Sequence, residues 1–559
     1  MKKLLTILLA AVIGITSFAV VGCGGRDDGT EAIDPNKSQL NVGVFNAGYG
    51  RVWADKAADD FEKLYANTSF EPGKMGVQVI VDAKKEEFKP SLLESTMETY
   101  ENAIYYTNQH NYTNYMAKGL LTDITTVINQ AVYDADGNLA LMDDGTGKLV
   151  PINGAGTATK SMMDRVDSNV KDLYKIESGA NAGKYFMTPW AGLIGAMIYD
   201  ADLFSREGFF FNEDGEIDDS LTLEDVENGL AGPGPDGKVG TADDGMPETY
   251  KDFLTLLDTI SKATIDPFTW SGQTGYQRWY AFESVYANYQ GYNEFNKMYD
   301  GVTPNSELAE QYGRKAAIQF FYDVTNLGYY ASASFSQSYD AAQRLFVRSM
   351  ESPRPVAMFM EGVYWENEVR DTFGTMAEEN ADPSLDYGQR NFKLLPIPNF
   401  VNVNGIPNQT NTSESEVLCG YGANASAFIT AKNTCANPQL QKHLAELFLQ
   451  FTNSREQLVK LMQNTGGCIG LYDFEFEEGE ELLLTKYGRD IYKYIEQGSK
   501  IVWDLSGSEE IRNKKTFYYV QGNTIYRDVP ALVKNAPSEP VLTVDAIYEK
   551  VANYVRDMG

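Results

Sequence analysis

Carboxylates are the commonest reactive side chains of this 559-residue chain: 78 Asp and Glu against 47 Lys and Arg, for a formal charge of −31. That balance argues against nucleic acid and anionic lipid headgroups as partners and disfavours anionic substrates. Only His110 and His443 occur, which makes a multi-histidine zinc site or a Ser-His-Asp triad improbable. Cys419, Cys435 and Cys468 form no C-x-x-C pattern. An odd number permits at most one disulfide with one thiol left over, and spacing does not say which pair. Glycoside hydrolysis would need two carboxylates about 5–10 Å apart, and no pair here stands in a recognisable glycosidase motif. Calcium is a further candidate, because residues 211–219 and 234–245 both contain Asp-Gly-x-(Ile/Val), a turn of calcium loops. Asp214, Asp218, Asp236, Asp243 and Asp244 would be its ligands. Neither stretch keeps the full EF-hand spacing, since position 12 of the first is Leu221, and a solvated acidic hairpin is the alternative. Aromatic residues complete the inventory. Tyr at 35 and Phe at 28 suit a surface that stacks on sugar rings, although much of that total must be ordinary core.

The elements that would position such groups follow in order. Met1 to Val21 has a basic start and an apolar run, the pattern of an export signal. Residues 24–37 read as a polar tether. Leu40 to Phe45 alternates as a strand and ends in the glycine-rich turn 46–51. Trp53, Ala57, Phe61, Leu64 and Tyr65 then recur at helical spacing, and Val77 to Val81 gives a second strand. A β-loop-α-β start predicts a parallel α/β sheet. Ligands of such sheets meet the loops at the carboxyl ends of strands, which makes Asn46 and Tyr49 candidate contacts. Met197, Ile198 and Tyr199 suit a buried strand, with Pro189, Gly192 and Gly195 allowing a bend beside Trp190. Residues 248–263 read as a helix with Phe253, Leu256, Leu257 and Ile260 on one face. Asn437-Pro438 is a helix start, with asparagine capping and proline at the first helical position.

The order of these pieces resembles family 1 extracellular solute-binding proteins, the sugar-binding lipoproteins of ABC importers. Val20-Val-Gly-Cys23 is similar to the bacterial lipobox, which implies cleavage before Cys23 and a lipid on its sulfur. Residues 185–200 resemble the crossover of that family, where a strand passes from the first lobe into the second and carries Trp190. Asn114 to Ile124 is similar to a family segment whose preceding loop faces the cleft, which brings in Tyr106, Asn108 and Gln109. The aromatic stretch 268–280 matches a position where the family presents a ring to ligand. Tyr276 matches best, with Trp270 a further candidate. Ala357-Met358, an apolar strand, Glu361-Gly362 and Tyr364-Trp365 form the second strong match. Phe392 to Pro398 resembles the second crossover.

The resemblance implies an α/β, two-lobe periplasmic-binding-protein-like fold of type II, with a ligand cleft between lobes and three hinge crossings. The corresponding division is signal peptide 1–22, tether 23–37, first lobe 38–191 and second lobe 192–395 with the acidic insertion 211–245. The first lobe would resume over 396–466, and 467–559 would be a helical part of the second lobe. The implied role is capture of a neutral oligosaccharide by lobe closure, without catalysis or a required cofactor, and delivery to permease subunits. The expected protein is a monomer anchored through Cys23 at the extracytoplasmic face of a bacterial membrane. A glycan-docking adhesin and a surface glycoside hydrolase are the alternatives.

Overall fold

A computed structural model describes residues 32–108, 112–410, 416–421, 425–431, 437–473, 475–505, 528–534 and 542–557. Cys23, Gln109, His110 and Cys435 lie outside the described residues. No described helix is long and apolar enough to cross a membrane.

The first sheet begins with β1 (Ser38–Phe45), β2 (Val77–Lys84) and β3 (Ile104–Tyr106). β1 is parallel to both neighbours. Its last four residues are all buried, as expected of a parallel strand covered on both faces. Between β1 and β2 runs α1 (Val52–Leu64), which buries Trp53, Ala57 and Phe61 on its inner face. A small hairpin, β4 (Leu141–Asp143) and β5 (Leu149–Pro151), stands apart. Then β6 (Thr188–Pro189) ends the first passage through this sheet, and β7 (Ile194–Asp200) opens the second.

The second sheet is completed by β8 (Asp266–Thr269), β9 (Val356–Gly362), β10 (Phe392–Leu394), β11 (Val417–Gly420) and β13 (Lys500–Trp503). Its order is β13-β11-β7-β9-β8, with β10 also paired to β7. Its helices include α2 (Tyr250–Lys262), α3 (Tyr276–Gln290), α4 (Gly313–Asn326), α5 (Tyr339–Val347) and the single turn α6 (Trp365–Glu368). α2 starts on a capping box in which Thr249 and Asp252 exchange side-chain and backbone bonds, a device contributing about 1 kcal/mol. It buries Phe253, Leu256, Leu257 and Ile260, the face predicted from spacing. β12 (Ser426–Ile429) returns to the first sheet and inserts between β3 and β6, antiparallel to both. Then α7 (Pro438–Thr452) starts as expected, with Asn437 accepting from the Leu440 N–H at 3.3 Å.

Two points of the sequence division change. The segment 392–398 is not the return to the first lobe, because β10 lies antiparallel to β7 in the second sheet. Buried Lys393 and Asp490 pair at 3.5 Å, and Asp490 also accepts the Leu394 N–H, which ties the strand there. The return falls between Gly420 and Ser426, since β11 pairs in the second sheet and β12 in the first. Residues 396–420 therefore belong with the second lobe. The C-terminal part, in turn, is not only helical, since β13 is the edge strand of the second sheet.

The crossing segments lie side by side. Trp190 N–H donates to Ala425 O at 3.1 Å, Tyr421 N–H to Leu193 O at 2.7 Å, and Gly192 N–H to Ile469 O. Gly195 follows at a close approach: a Cβ there would lie 2.5 Å from the Tyr421 ring.

Candidate functional site

The site forms where the ends of β1 and β9 meet. After β1 the chain turns through Gly48 and Gly50, at φ of 63° and 66°, a left-handed conformation that glycine adopts without strain. Gly48 N–H donates to Glu368 Oε1 at 2.8 Å, and its carbonyl accepts from Asn367 Nδ2 at 3.0 Å. A first-lobe loop is thereby fastened to α6 of the second. The Tyr364 ring lies against the same glycine, 3.5 Å from where a Cβ would be. Lys85, just after β2, donates to Tyr339 Oη at the start of α5. Beside these contacts is an interlobe cavity of about 360 Å³, lined among others by Asn46, Lys85, Tyr339, Gln343, Asn367 and Glu368.

The second-lobe wall is organised by Glu361, the penultimate residue of β9 and fully buried. Its Oε1 accepts from Gly362 N–H at 2.8 Å and Tyr364 O–H at 3.1 Å. Its Oε2 accepts from Tyr276 O–H at 3.0 Å, from Gln277 and, at 3.3 Å, from Gln343. Gln343 Nε2 also donates to Glu368 Oε2 at 2.6 Å, so one amide bridges two carboxylates. Burial, then the Glu368 charge, pushes the Glu361 carboxyl up to about 8 against the pull of its donors. Glu368 is raised as well, by burial first.

The first-lobe wall is built of rings. Trp190 stacks on Trp53 at 4.6 Å between centroids and meets Tyr49 at 4.8 Å and Tyr106 at 5.3 Å. Its indole N–H donates to Thr107 O at 3.0 Å. Tyr106 is buried, its hydroxyl 2.8 Å from Thr452 Oγ1. Burial holds the Tyr49 phenol well above its ordinary value, with Cys468, Tyr280 and Tyr174 nearby adding to the effect.

The structure thus brings Asn46, Tyr49, Tyr276 and Tyr364 to the junction of the lobes and places Trp190 behind Tyr49. Asn108 is half-buried in the loop after β3. Four sequence candidates take other roles, the first being Tyr106, which is buried with its hydroxyl on Thr452. Trp270 is fully buried in the second core between Tyr330 and Phe335, at 5.4 and 5.6 Å. Trp365 is fully buried among Phe346, Phe359, Phe373, Phe392 and Tyr487. One step along a helical turn from Tyr364 rotates it about 100° away, into the core. Glu361 has both oxygens occupied by protein donors and holds the wall from behind. Gln277, Gln343 and Glu368 were missed in the sequence. The signal that could have found one of them was at Gln343, an amide on the inner face of α5 beside Ala342 and Phe346.

The acidic insertion is held by its own turns. Asp214 and Asp218 belong to the exposed turn 212–220, where Asn212 Oδ1 accepts the Asp214 N–H and Asp218 Oδ1 accepts from Ser220. In the second stretch, Asp236 accepts the Lys238 N–H, Asp243 the Asp236 N–H and Asp244 the Gly240 N–H, while the Thr241 hydroxyl bonds Asp243 at 2.7 Å. Among the described residues no group of three or more His, Cys, Asp or Glu side chains is arranged to hold a metal ion. Cys419 and Cys468 are buried free thiols.

No protein-family model matches the chain, and no curated protein matches it in sequence. Solved structures do match it in shape. A protein of xylan utilisation by the thermophilic bacterium Caldanaerobius polysaccharolyticus aligns over 92% of this chain and 99% of its own, at 11% identity and a TM-score of 0.54. A chitin-oligosaccharide-binding protein aligns over 93% and 99%, at 12% identity and 0.53. The solute-binding protein RafE in complex with raffinose aligns over 93% and 100%, at 13% identity and 0.51. The chain has the two-lobe α/β fold of these proteins.

Proposed function

We propose that the chain is an extracytoplasmic solute-binding protein that captures a neutral oligosaccharide between its lobes and hands it to an ABC importer. The observation that carries this is the junction itself: phenol rings and amides of both lobes and carboxyl groups of the second converge beside crossings that lie side by side. Ring faces suit the apolar C–H face of a pyranose, and Asn46, Gln343, Asn367 and Glu368 supply donors and acceptors for its hydroxyls. Raffinose and chitin oligosaccharides, the ligands of the likenesses named above, are of this class. Capture needs only lobe rotation about the crossings, with the closed form recognised by permease subunits. The Val20-Val-Gly-Cys23 sequence supports a lipid anchor at Cys23 as the tie to the membrane.

The test is a calorimetric screen of neutral oligosaccharides of varied linkage and length against the mature chain. One-to-one binding at micromolar Kd or tighter is expected for at least one linkage class. Binding to none of them, or turnover of any of them, would remove this reading.

A further inference from the structure

Gly48 of the first lobe is held at both of its backbone polar groups by two successive residues of the second. Glu368 Oε1 accepts its N–H at 2.8 Å, and Asn367 Nδ2 donates to its carbonyl at 3.0 Å. Each of these bonds joins one protein group to another, so the contact needs no ligand to form. The chemistry of its neighbours fixes which way the Asn367 amide faces. The Gly48 carbonyl can only accept, which calls for Nδ2 on that side. Arg370 can only donate, and its Nη2 takes Asn367 Oδ1 at 3.1 Å. An amide turned end for end would lose both bonds. The first-lobe turn is shaped to admit this side chain, since a Cβ on Gly50 would lie 2.8 Å from Asn367 Nδ2.

Arg370 is itself anchored on the first lobe. Its Nη2 also donates to Asn464 O at 3.1 Å, while its guanidinium lies 3.9 Å from the centre of the Tyr387 ring, a cation–π contact. Asn464 stands in the last turn of the helix Arg455–Thr465, where the free carbonyls carry the negative end of the helix dipole. That helix is part of the first lobe: Lys460 pairs with Asp60 of α1 at 2.7 Å. The third crossing lies just beyond it, where Ile469 O accepts the Gly192 N–H. One guanidinium therefore touches a carbonyl beside the hinge and the amide that holds Gly48 across the cleft.

We propose that Arg370 is a positioning residue of the lobe junction. It keeps the Asn367 amide turned toward Gly48, and the resulting latch makes the closed form the resting form of the chain before any sugar enters. Sugar then enters through the minor open population, and its apparent affinity is lowered by that fraction. Loosening the latch raises the open fraction without touching a ring of either wall.

This inference rests on the two-lobe closure of the proposed function but needs no sugar to be tested. The chain carrying Cys23→Ser would be unfolded and refolded to strip any bound sugar. Two quantities would then be followed, the deuterium exchange of the Gly48 amide and the radius of gyration from small-angle scattering. In this parent, Gly48 should be protected about tenfold or more relative to an unstructured amide. Asn367→Asp keeps the acceptor for Arg370 but loses the donor to Gly48. It should speed Gly48 exchange about tenfold and enlarge the radius of gyration. Asn367→Ala should do the same, and it keeps the test open should Asn367→Asp fail to fold. Arg370→Ala should release Gly48 about threefold or more in the parent, yet change nothing further in the Asn367→Ala background, because a positioning residue acts only through the group it positions. An unprotected Gly48 in the parent would overturn the proposal. So would unchanged exchange and radius in the Asn367 variants, or equal effects of Arg370→Ala in both backgrounds. A failed sugar screen would leave this measurement standing.

Discussion

The two walls of the cleft hold their aromatic residues by different physics. In the first lobe, Trp190 is fixed by rings, with Trp53, Tyr49 and Tyr106 around it and one bond to a backbone carbonyl. In the second, Tyr276 and Tyr364 are fixed by hydrogen bonds to a buried carboxylate. Ring packing is non-directional and shares its energy with the core. A carboxyl hub is directional, and it weakens with each donor lost. The first wall is therefore a piece of core that reaches the cleft. The second is a polar device that the cleft can adjust.

The largest effect that would break this contrast is expected at Trp190. Trp190→Ala should lower unfolding free energy by about 3–5 kcal/mol, measured by chemical denaturation. A loss under about 1 kcal/mol would mean the ring is not part of a packed wall. A paired comparison sharpens the contrast at the hydroxyl level. Tyr364→Phe removes a donor from a buried carboxylate and should cost about 1–3 kcal/mol, whereas Tyr106→Phe breaks a neutral hydroxyl pair and should cost about 0.5–1.5 kcal/mol. Equal losses would remove the distinction between hub and ring wall. The smallest effect concerns His443 on α7, whose value is raised by Glu446 and then by Asp143, against burial. The raised imidazolium stabilises the fold below about pH 6.5, and that contribution disappears as pH rises through its folded value. Because the side chain is 36% exposed, the change is small. His443→Gln should flatten the melting temperature between pH 6 and 8 by about 1 °C, and a slope identical to the parent's would show the imidazole uncoupled from Asp143.

Much of the fold was legible because it rests on period and punctuation. The alternation before the glycine turn located β1, the apolar face 253–260 located α2, and Asn437-Pro438 located the start of α7. The crossings were legible only in part. Proline at 396 and 398 suggested a boundary, but proline also ends a strand inside a lobe, and β10 is such a strand. The true return falls in the stretch Gly420 to Ile429, whose Gly420, Gly422 and Asn424 mark a turn in the sequence without saying that the chain changes sheets there. At the site, turn residues such as Asn46 and Tyr49 could be placed from the sheet rule alone. Trp270 and Trp365 could not be told from cleft residues, since a ring's chemistry is the same in a core and in a cleft, and only the helical phase separates Trp365 from Tyr364. The carboxylate hub was illegible for a related reason: its five donors come from positions 276, 277, 343, 362 and 364.

The insertion of β12 between β3 and β6 bears on how the molecule is made. Three strands of the first sheet lie within residues 38–106, yet the strand that covers the open edge of β3 begins at Ser426. Asn41 N–H waits for Gln441, and Tyr106 waits for Thr452. A chain emerging from the ribosome therefore carries an unfinished sheet, with an unpaired edge, for more than half of its synthesis. Such an edge invites pairing with a second chain until residue 429 arrives. The architecture that couples the lobes thus delays completion of the first sheet until residue 429 has been made, and it predicts that chains truncated before β12 aggregate through that edge.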